Sequence, residues 1–237
     1  MLIFAHRGAS GIEPENTLLA IQAALDMKVD AIEIDVHLGG GQLVIIHNRT
    51  VDKTTNGNGP VSNMTFQQLR ELNAGKGQKI PTLEEVFTLV NGQCLINIEL
   101  KSVGTVEGTL ALIDQAVNNQ SFQLDQFLIS SFNHHLLAEV KALNPSINTG
   151  ALTAGCPYHY AEFAEQLNSY SVHIDIDFVN QAFVDDAHYR GLKVYVYTVD
   201  GDDDIIAMHR LGVDGIFSNH PNKSSLKLAH LRSSAFS

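Results

Sequence analysis

The amino-acid sequence predicts an α/β fold, a (β/α)8 TIM barrel, and three observations support it. About eight or nine short apolar runs alternate with helical segments, over 237 residues, close to the ~250 residues typical of this barrel. A strand, a helix and a strand fall within the first forty or so residues, which is the βαβ unit of a parallel sheet. The alternative, a doubly wound open sheet, usually carries a GxGxxG fingerprint after its first strand, whereas this chain reads HRGASG there.

The first elements follow from apolar spacing and from capping residues. Residues 2–5 form a short apolar run, which predicts a buried strand. Helical spacing begins at Leu18, with Asn16 or Thr17 as the expected N-cap. Two further apolar runs then lie within residues 31–48, on either side of three glycines. That connection suits a tight hairpin or a loop between neighbouring strands.

The run at residues 31–38 alternates strictly between apolar and polar residues. Glu33 and Asp35 therefore share one face of the predicted strand, together with His37. One interpretation is a half-exposed strand with a solvated face. The other is a buried strand whose carboxylates are stabilised by a hard cation with oxygen ligands.

A polar segment rich in Gly and Asn follows, and we expect it to form a small inserted cap after the third strand, at about residues 49–80. It is too short and too polar to hold a core of its own, so we expect one barrel domain spanning residues 1–237. Thr65 with Gln68, and Thr82 with Glu85, have capping-box spacing and predict two helix starts. The same patterns predict the remaining elements, which are strands at 94–101, 127–129, 148–152, 172–176, 193–199 and 213–217, and helices at 83–90, 106–117, 135–143, 160–167, 182–189, 202–210 and 222–237.

The bulk composition excludes several classes of protein. The net charge of −11 argues against a nucleic-acid partner. Cys94 and Cys156 form no CxxC pattern, so nothing requires an oxidising compartment. The N-terminal apolar run reaches a charge too early for a signal peptide, and no apolar stretch approaches the ~18 residues of a membrane span. We therefore expect a cytoplasmic protein without stable membrane insertion, and a homodimer is one open possibility.

Ionisable residues collect at the ends of the predicted strands, where the active sites of such barrels lie. Carboxylates in that position would hold a divalent cation, either Mg²⁺ or Ca²⁺. Basic side chains would bind an anion, and histidines would transfer protons near neutral pH. An anion attacked beside a metal is most simply a phosphate ester. The residues are His6, Arg7, Glu33, Asp35, His47, Glu99 and Lys101.

Several motifs together resemble the glycerophosphodiester phosphodiesterase family. They are HRGASGIEPENT, EIDVHL, VIIHN, TTNGNG, PTLEEV, NIELK and GVDGIFSN. The resemblance implies a phosphodiesterase TIM barrel that cleaves glycerophosphodiesters to glycerol 3-phosphate and an alcohol. It implies His6 and His47 as the catalytic acid–base pair and Arg7 and Lys101 on the phosphate. It also implies a single metal, held by Glu33, Asp35 and Glu99.

One departure and two rival functions are visible in the sequence. The family usually has Trp and Asn where this chain has Tyr197 and Asp200. The rivals are a lysophospholipase D-type phosphodiesterase and a non-catalytic protein that binds a phosphate ligand. Glu15 fits a capping role or a supporting role at the site equally well. His37 shares the face of Glu33 and Asp35 and could be a ligand, but we expect a rim position for it. His173 has no partner at ligand spacing.

Overall fold

A computed structural model describes residues 1–234 of the chain. Its strands are β1 (Leu2–Ala5), β2 (Ala31–Gly39), β3 (Gln42–Ile45), β4 (Leu95–Leu100), β5 (Phe127–Ser131), β6 (Asn148–Thr153), β7 (Ser171–Asp175), β8 (Lys193–Tyr197) and β9 (Gly215–Ser218). Its helices are α1 (Leu18–Asp26), α2 (Phe66–Glu71), α3 (Leu83–Val90), α4 (Val106–Asn119), α5 (His134–Leu143), α6 (Glu162–Gln166), α7 (Gln181–Tyr189), α8 (Asp202–Leu211) and α9 (Pro221–Ser234). Short 3-10 turns occupy Val61–Asn63 and Leu124–Gln126.

Eight of these strands close into a parallel barrel. The order around the ring is β1, β9, β8, β7, β6, β5, β4 and β2, and β1 pairs with β2 to complete it. Neighbouring parallel strands need a long crossover connection, and helices supply it between successive barrel strands. The predicted (β/α)8 barrel is therefore confirmed.

The third strand lies outside the ring. β3 pairs antiparallel with β2, in the register Val36↔Ile45 and Gly39↔Gln42. Of the two connections that the three glycines allowed, the hairpin is the one that forms. Gly40 and Gly41 turn the chain with φ of 57° and 79°, in the left-handed region that glycine adopts without strain.

The segment between β3 and α3 carries a small hydrophobic cluster separate from the main core. Val51, Val61 and Leu69 are buried there against Val44 and Ile46 from the hairpin. The hairpin contributes apolar residues that the segment lacks, so the segment does not form this cluster alone.

Both predicted capping boxes form. Thr65 caps α2 and Thr82 caps α3, each accepting from the backbone N–H three residues later. Glu85 completes the second box and also binds Arg70 of α2, with two N–O distances of 2.7 Å. This bidentate pair joins the segment after β3 to a helix of the barrel.

The C-terminal helix predicted at residues 222–237 is present as α9, and residues 235–237 lie outside the described part of the chain. At the N-terminal end of the first helix, Thr17 is the N-cap, so the choice between Asn16 and Thr17 is resolved. Among the helices of residues 1–234, none has the length and apolar character needed to cross a membrane.

Asp214 connects three elements around the last barrel strand. Its carboxylate accepts from the Val194 N–H at 2.9 Å, from Lys193 Nζ at 2.9 Å and from His188 Nε2 at 2.8 Å. Its backbone carbonyl accepts from the Leu2 N–H at 2.7 Å. Although burial favours the neutral acid, the hydrogen bonds from Val194 and Lys193 hold the pKa of Asp214 below its usual value.

Replacing Asp214 by Asn should therefore destabilise the fold in a pH-dependent way. At pH 7 we expect the free energy of unfolding to fall by about 1–3 kcal/mol, the usual worth of hydrogen bonds to a charged group. A depressed folded-state pKa stabilises only above the unfolded-state pKa, so the difference between wild type and Asp214→Asn should shrink as the pH falls below about 4. Urea unfolding at pH 7 and pH 3 measures it, with Asp26→Asn on the exposed end of α1 as the control. A penalty of the same size at both pH values would contradict this account.

Candidate active site

Three carboxylates meet at the carboxyl ends of β2 and β4. Glu33 and Asp35 are on β2, and Glu99 on β4 is the direct register partner of Asp35. One oxygen from each lies within 4.8 Å of the others. Glu33 and Asp35 are only 2% and 1% exposed, so the solvated-face interpretation of this strand is wrong.

The close approach of these acids changes their proton affinities. Burial, together with the Asp35 and Glu99 carboxylates, raises the pKa of Glu33 well above its usual value. Burial and Asp35 raise the pKa of Glu99 to about 7. Asp35 behaves in the opposite way, because Lys101 and Arg7 outweigh its burial and lower its pKa. The two positive charges of Arg7 and Lys101 are therefore too few to balance the three carboxyl groups.

The geometry fits a divalent cation. Within residues 1–234, neither Glu33 Oε1 nor Asp35 Oδ1 accepts a hydrogen bond, although both atoms are buried. Unpaired buried carboxylate oxygens are costly, and a hard cation with oxygen ligands would satisfy them. A group of three acids in this arrangement, two buried and one partly buried, could hold a metal ion.

Arg7 enters the site from a left-handed turn after β1. Its φ is 57°, and Gly8 follows with φ of 76°. This turn directs the Arg7 N–H to Glu33 Oε2 at 2.8 Å while the Arg7 Nε lies 3.4 Å from Asp35 Oδ2. A Cβ at Gly8 would lie 2.7 Å from the Ala20 carbonyl carbon, so only glycine fits after Arg7.

Lys101 follows β4 and supplies the second positive charge. Its Nζ lies 2.7 Å from Glu99 Oε1 and 3.5 Å from Asp35 Oδ1. The same Nζ is 5.9 Å from the centre of the Phe132 ring, which packs edge-on against Tyr197. Two cations and an aromatic pair thus border the carboxylate cluster.

The two predicted catalytic histidines reach one cavity from different elements. His6 ends β1, and its Nε2 lies 4.0 Å from Glu33 Oε2. His47 follows β3, whose antiparallel direction returns the chain to Asp35, where the Ile46 N–H donates to the Asp35 carbonyl at 3.0 Å. Both histidines line a cavity of about 180 Å³ with Arg7, Glu33, Glu99 and Lys101.

The surroundings of both histidines favour the neutral imidazole. Burial and the adjacent Arg7 lower the pKa of His6 to about 4. Burial also lowers the pKa of His47, while the Asp35 carboxylate opposes that effect. At neutral pH each ring can therefore accept a proton from a reacting group.

Residues assigned no firm role from the sequence also contact the site. Glu15 binds Arg7, with 3.0 Å between Oε1 and Nη1, so it supports the site rather than capping α1. His37 is buried, and its Nε2 lies 3.3 Å from the His47 carbonyl. His173 lines the cavity, and its Nε2 lies 2.9 Å from Ser171 Oγ.

Sequence reasoning missed Asn16 and Asn97. The Asn16 amide donates to Asp35 Oδ2 at 2.8 Å, and its oxygen accepts from the Asp35 N–H at 3.2 Å. Asn97 lies opposite Glu33 in the β2–β4 register and lines the cavity. Its inward parity, shared with Glu99, is the signal that could have identified it.

Comparisons with known proteins show which family the chain matches. The model of the glycerophosphoryl diester phosphodiesterase family matches residues 6–223. A glycerophosphodiester phosphodiesterase of Caldanaerobacter subterraneus subsp. tengcongensis is 37% identical, over 93% of this chain and 94% of that protein. One from Bacillus subtilis is 33% identical, over 94% of this chain and 84% of that protein.

A solved structure gives the same result in three dimensions. A phosphodiesterase of Oleispira antarctica, in complex with the product sn-glycerol-3-phosphate, superimposes with a TM-score of 0.88. It is 31% identical and the match covers 97% of both chains. The family match over nearly the whole length, these relatives and the shared barrel lead to one conclusion: the chain belongs to the glycerophosphoryl diester phosphodiesterase family and is an enzyme of that class.

Proposed function

We propose that this enzyme hydrolyses small, water-soluble glycerophosphodiesters to glycerol 3-phosphate and an alcohol, with one divalent cation, Mg²⁺ or Ca²⁺. The observation that carries the proposal is the single cavity bordered by three acids, two basic residues and two histidines. Such a cavity offers a cation site beside an anion site, which matches a metal-bound phosphate. The product bound to the Oleispira antarctica relative supports glycerol 3-phosphate as the shared product.

The acids Glu33, Asp35 and Glu99 would hold the cation. When bound, a divalent ion supplies Lewis-acid stabilisation of negative charge on phosphate oxygens and lowers the pKa of a hydroxyl group. Two buried carboxylate oxygens that accept no hydrogen bond from residues 1–234, Glu33 Oε1 and Asp35 Oδ1, support this ligand set.

Arg7 and Lys101 would bind the phosphate oxygens. Of the five N–H donors on a guanidinium, Glu15 takes the one on Arg7 Nη1, which leaves others for an anion. Charge on the phosphoryl oxygens increases towards the transition state, so these cations would stabilise it more than they stabilise the ground state.

His6 and His47 would divide the proton transfers. One ring accepts the proton of the substrate's 2-hydroxyl as that oxygen bonds to phosphorus, and the other donates a proton to the oxygen of the leaving alcohol. The P–O bond to that alcohol breaks and leaves a five-membered cyclic phosphate. Water then opens the ring, with the roles of the two histidines reversed, and gives glycerol 3-phosphate. No step requires a nucleophile from the protein.

The cavity and the insert favour a water-soluble diester over a lysophospholipid. The cavity holds only about 180 Å³. Val61, Leu69 and their apolar neighbours pack into the small cluster beside β3, instead of forming a groove for an acyl chain. This packing is why we favour glycerophosphodiesterase over lysophospholipase D activity.

A substrate comparison tests the proposal directly. With Mg²⁺ or Ca²⁺, glycerophosphocholine, glycerophosphoethanolamine, glycerophosphoinositol and glycerophosphoglycerol should give glycerol 3-phosphate, measured by a coupled dehydrogenase assay. Lysophosphatidylcholine should turn over at least about 10-fold more slowly, equivalent to 1.4 kcal/mol of discrimination. Faster release of choline from lysophosphatidylcholine would favour the lipid activity instead, and binding without turnover of any diester would indicate a binding protein.

The metal assignment predicts loss and recovery of activity. Chelation should abolish turnover, and a divalent cation should restore it. Asp35→Asn removes one ligand charge at nearly constant volume, so we expect calorimetry to show cation binding weakened by about 10-fold or more, with the circular dichroism spectrum unchanged. Asp26→Asn, away from the site, should bind the cation normally. Full activity after exhaustive chelation would refute the assignment.

The histidine assignment predicts large losses in turnover. His6→Ala and His47→Ala should each lower kcat by roughly 10²–10⁴-fold, the usual worth of a positioned acid or base. His135→Ala, on the exposed start of α5, is the matched control and should change kcat by less than about twofold. A loss of only a few-fold in both site variants would remove these histidines from the mechanism.

A further inference from the structure

A chain of hydrogen bonds leads from Asp200 through Asn219 to His6. Asp200 lies beyond the carboxyl end of β8, and Asn219 follows β9. Asn219 Nδ2 donates to Asp200 Oδ2 at 2.6 Å, and Asn219 Oδ1 lies 2.8 Å from His6 Nδ1. Neither Asp200 nor Asn219 lines the cavity described above, so both act on the site only through His6.

Asp200 fixes which way the Asn219 amide faces. Its carboxylate accepts three hydrogen bonds, from Ser218 Oγ at 2.9 Å, from the Asn219 N–H at 2.8 Å and from Asn219 Nδ2. An ionised carboxylate can only accept, so the Asn219 atom that faces it must be the NH₂ group. The Asn219 carbonyl oxygen therefore faces the other way, towards His6.

Ser10 lies between Asn219 and the His6 backbone. Its Oγ is 2.8 Å from Asn219 Oδ1 and 2.7 Å from the His6 carbonyl oxygen. A hydroxyl has one hydrogen and donates to only one of these acceptors, so the orientation of the Asn219 amide depends on Asp200.

The direction of this chain determines the tautomer of His6. An amide oxygen can only accept, so His6 Nδ1 must carry the hydrogen. In the neutral ring the lone pair then lies on Nε2, the nitrogen that faces Glu33 in the cavity.

We propose that Asp200 and Asn219 are positioning residues that hold neutral His6 in its Nδ1–H tautomer, with Nε2 ready to accept a proton. This inference rests on the proposed role of His6 in catalysis. It adds the reacting atom to that role, because Nε2 is then the nitrogen of His6 that exchanges the proton in the cavity. Neither Asp200 nor Asn219 lines the cavity, so substituting either residue should change turnover and not substrate binding.

The test removes the acceptor without changing the volume much. In Asn219→Leu, ¹⁵N NMR of histidine-labelled enzyme in Mg²⁺ buffer, with His6 assigned against His6→Gln, should show a loss of the Nδ1–H tautomer. We expect kcat to fall roughly 10- to 100-fold, the range seen when a partner that orients a histidine is removed, and KM to change by less than about threefold. Asp200→Ala frees the Asn219 amide to rotate and should shift both readouts in the same direction.

Exchange of the two groups provides a rescue. In the double variant Asp200→Asn with Asn219→Asp, the carboxylate at 219 still accepts from His6, so the Nδ1–H tautomer and most of kcat should return. Ser224→Ala, which removes a buried hydroxyl bonded to Ser218 in the same network, is the packing control and should leave both unchanged.

The outcomes separate this inference from the proposed function. If His6→Ala loses activity while Asn219→Leu and Asp200→Ala keep the wild-type tautomer and kcat, the positioning role is wrong and the role of His6 stands. If His6→Ala itself remains active, the role of His6 in catalysis is wrong, and the positioning role falls with it. If Asn219→Leu fails to fold, Asp200→Ala and the exchange variant test the positioning role instead. An exchange variant in which His6 has the Nε2–H tautomer would overturn the inference.

Discussion

The burial of three carboxylates at one barrel mouth is the constraint on which the rest of this site depends. Removing an ion from water is costly by several kcal/mol, even after relaxation of its surroundings. Lys101 and Arg7 offset that cost at Asp35, whose pKa falls, whereas Glu33 remains short of positive charge and its pKa rises. The left-handed turn at Arg7 directs its N–H to Glu33, and the amide of Asn16 donates to Asp35.

The strand outside the barrel, β3, determines how His47 reaches the same site. The carboxyl ends of the barrel strands point towards the mouth, and His6 reaches the site directly after β1. By running antiparallel to β2, β3 returns from beyond the rim and places His47 beside Asp35 from above. The two histidines therefore reach one cavity from different directions, as the proposed division into proton acceptor and donor requires.

Local signals explain what the sequence could predict. Strand parity brought Glu33 and Asp35 to one face, and cap spacing located Thr65 and Thr82, because both depend on neighbours within four residues. The pairing of β3 could not be predicted, since three glycines fit a hairpin and an open loop equally. Local patterns could not predict the small cluster beside β3, because its buried residues come from both sides of a long polar segment. The partner of His6 is 213 positions away along the chain, beyond the reach of any local pattern.

That separation ties the chemistry to the completion of the fold. β1 pairs with β9, so the first and last strands of the barrel meet only when the ring closes. The contact between His6 and Asn219 forms across the same seam and has no counterpart in a chain whose ring is still open. Long-range contacts of this kind are entropically expensive to close and belong to slowly folding topologies. A nascent or partly unfolded chain can thus carry every acid of the carboxylate cluster and still lack the contact of His6 with Asn219, which makes this hydrogen bond a chemical marker of barrel closure.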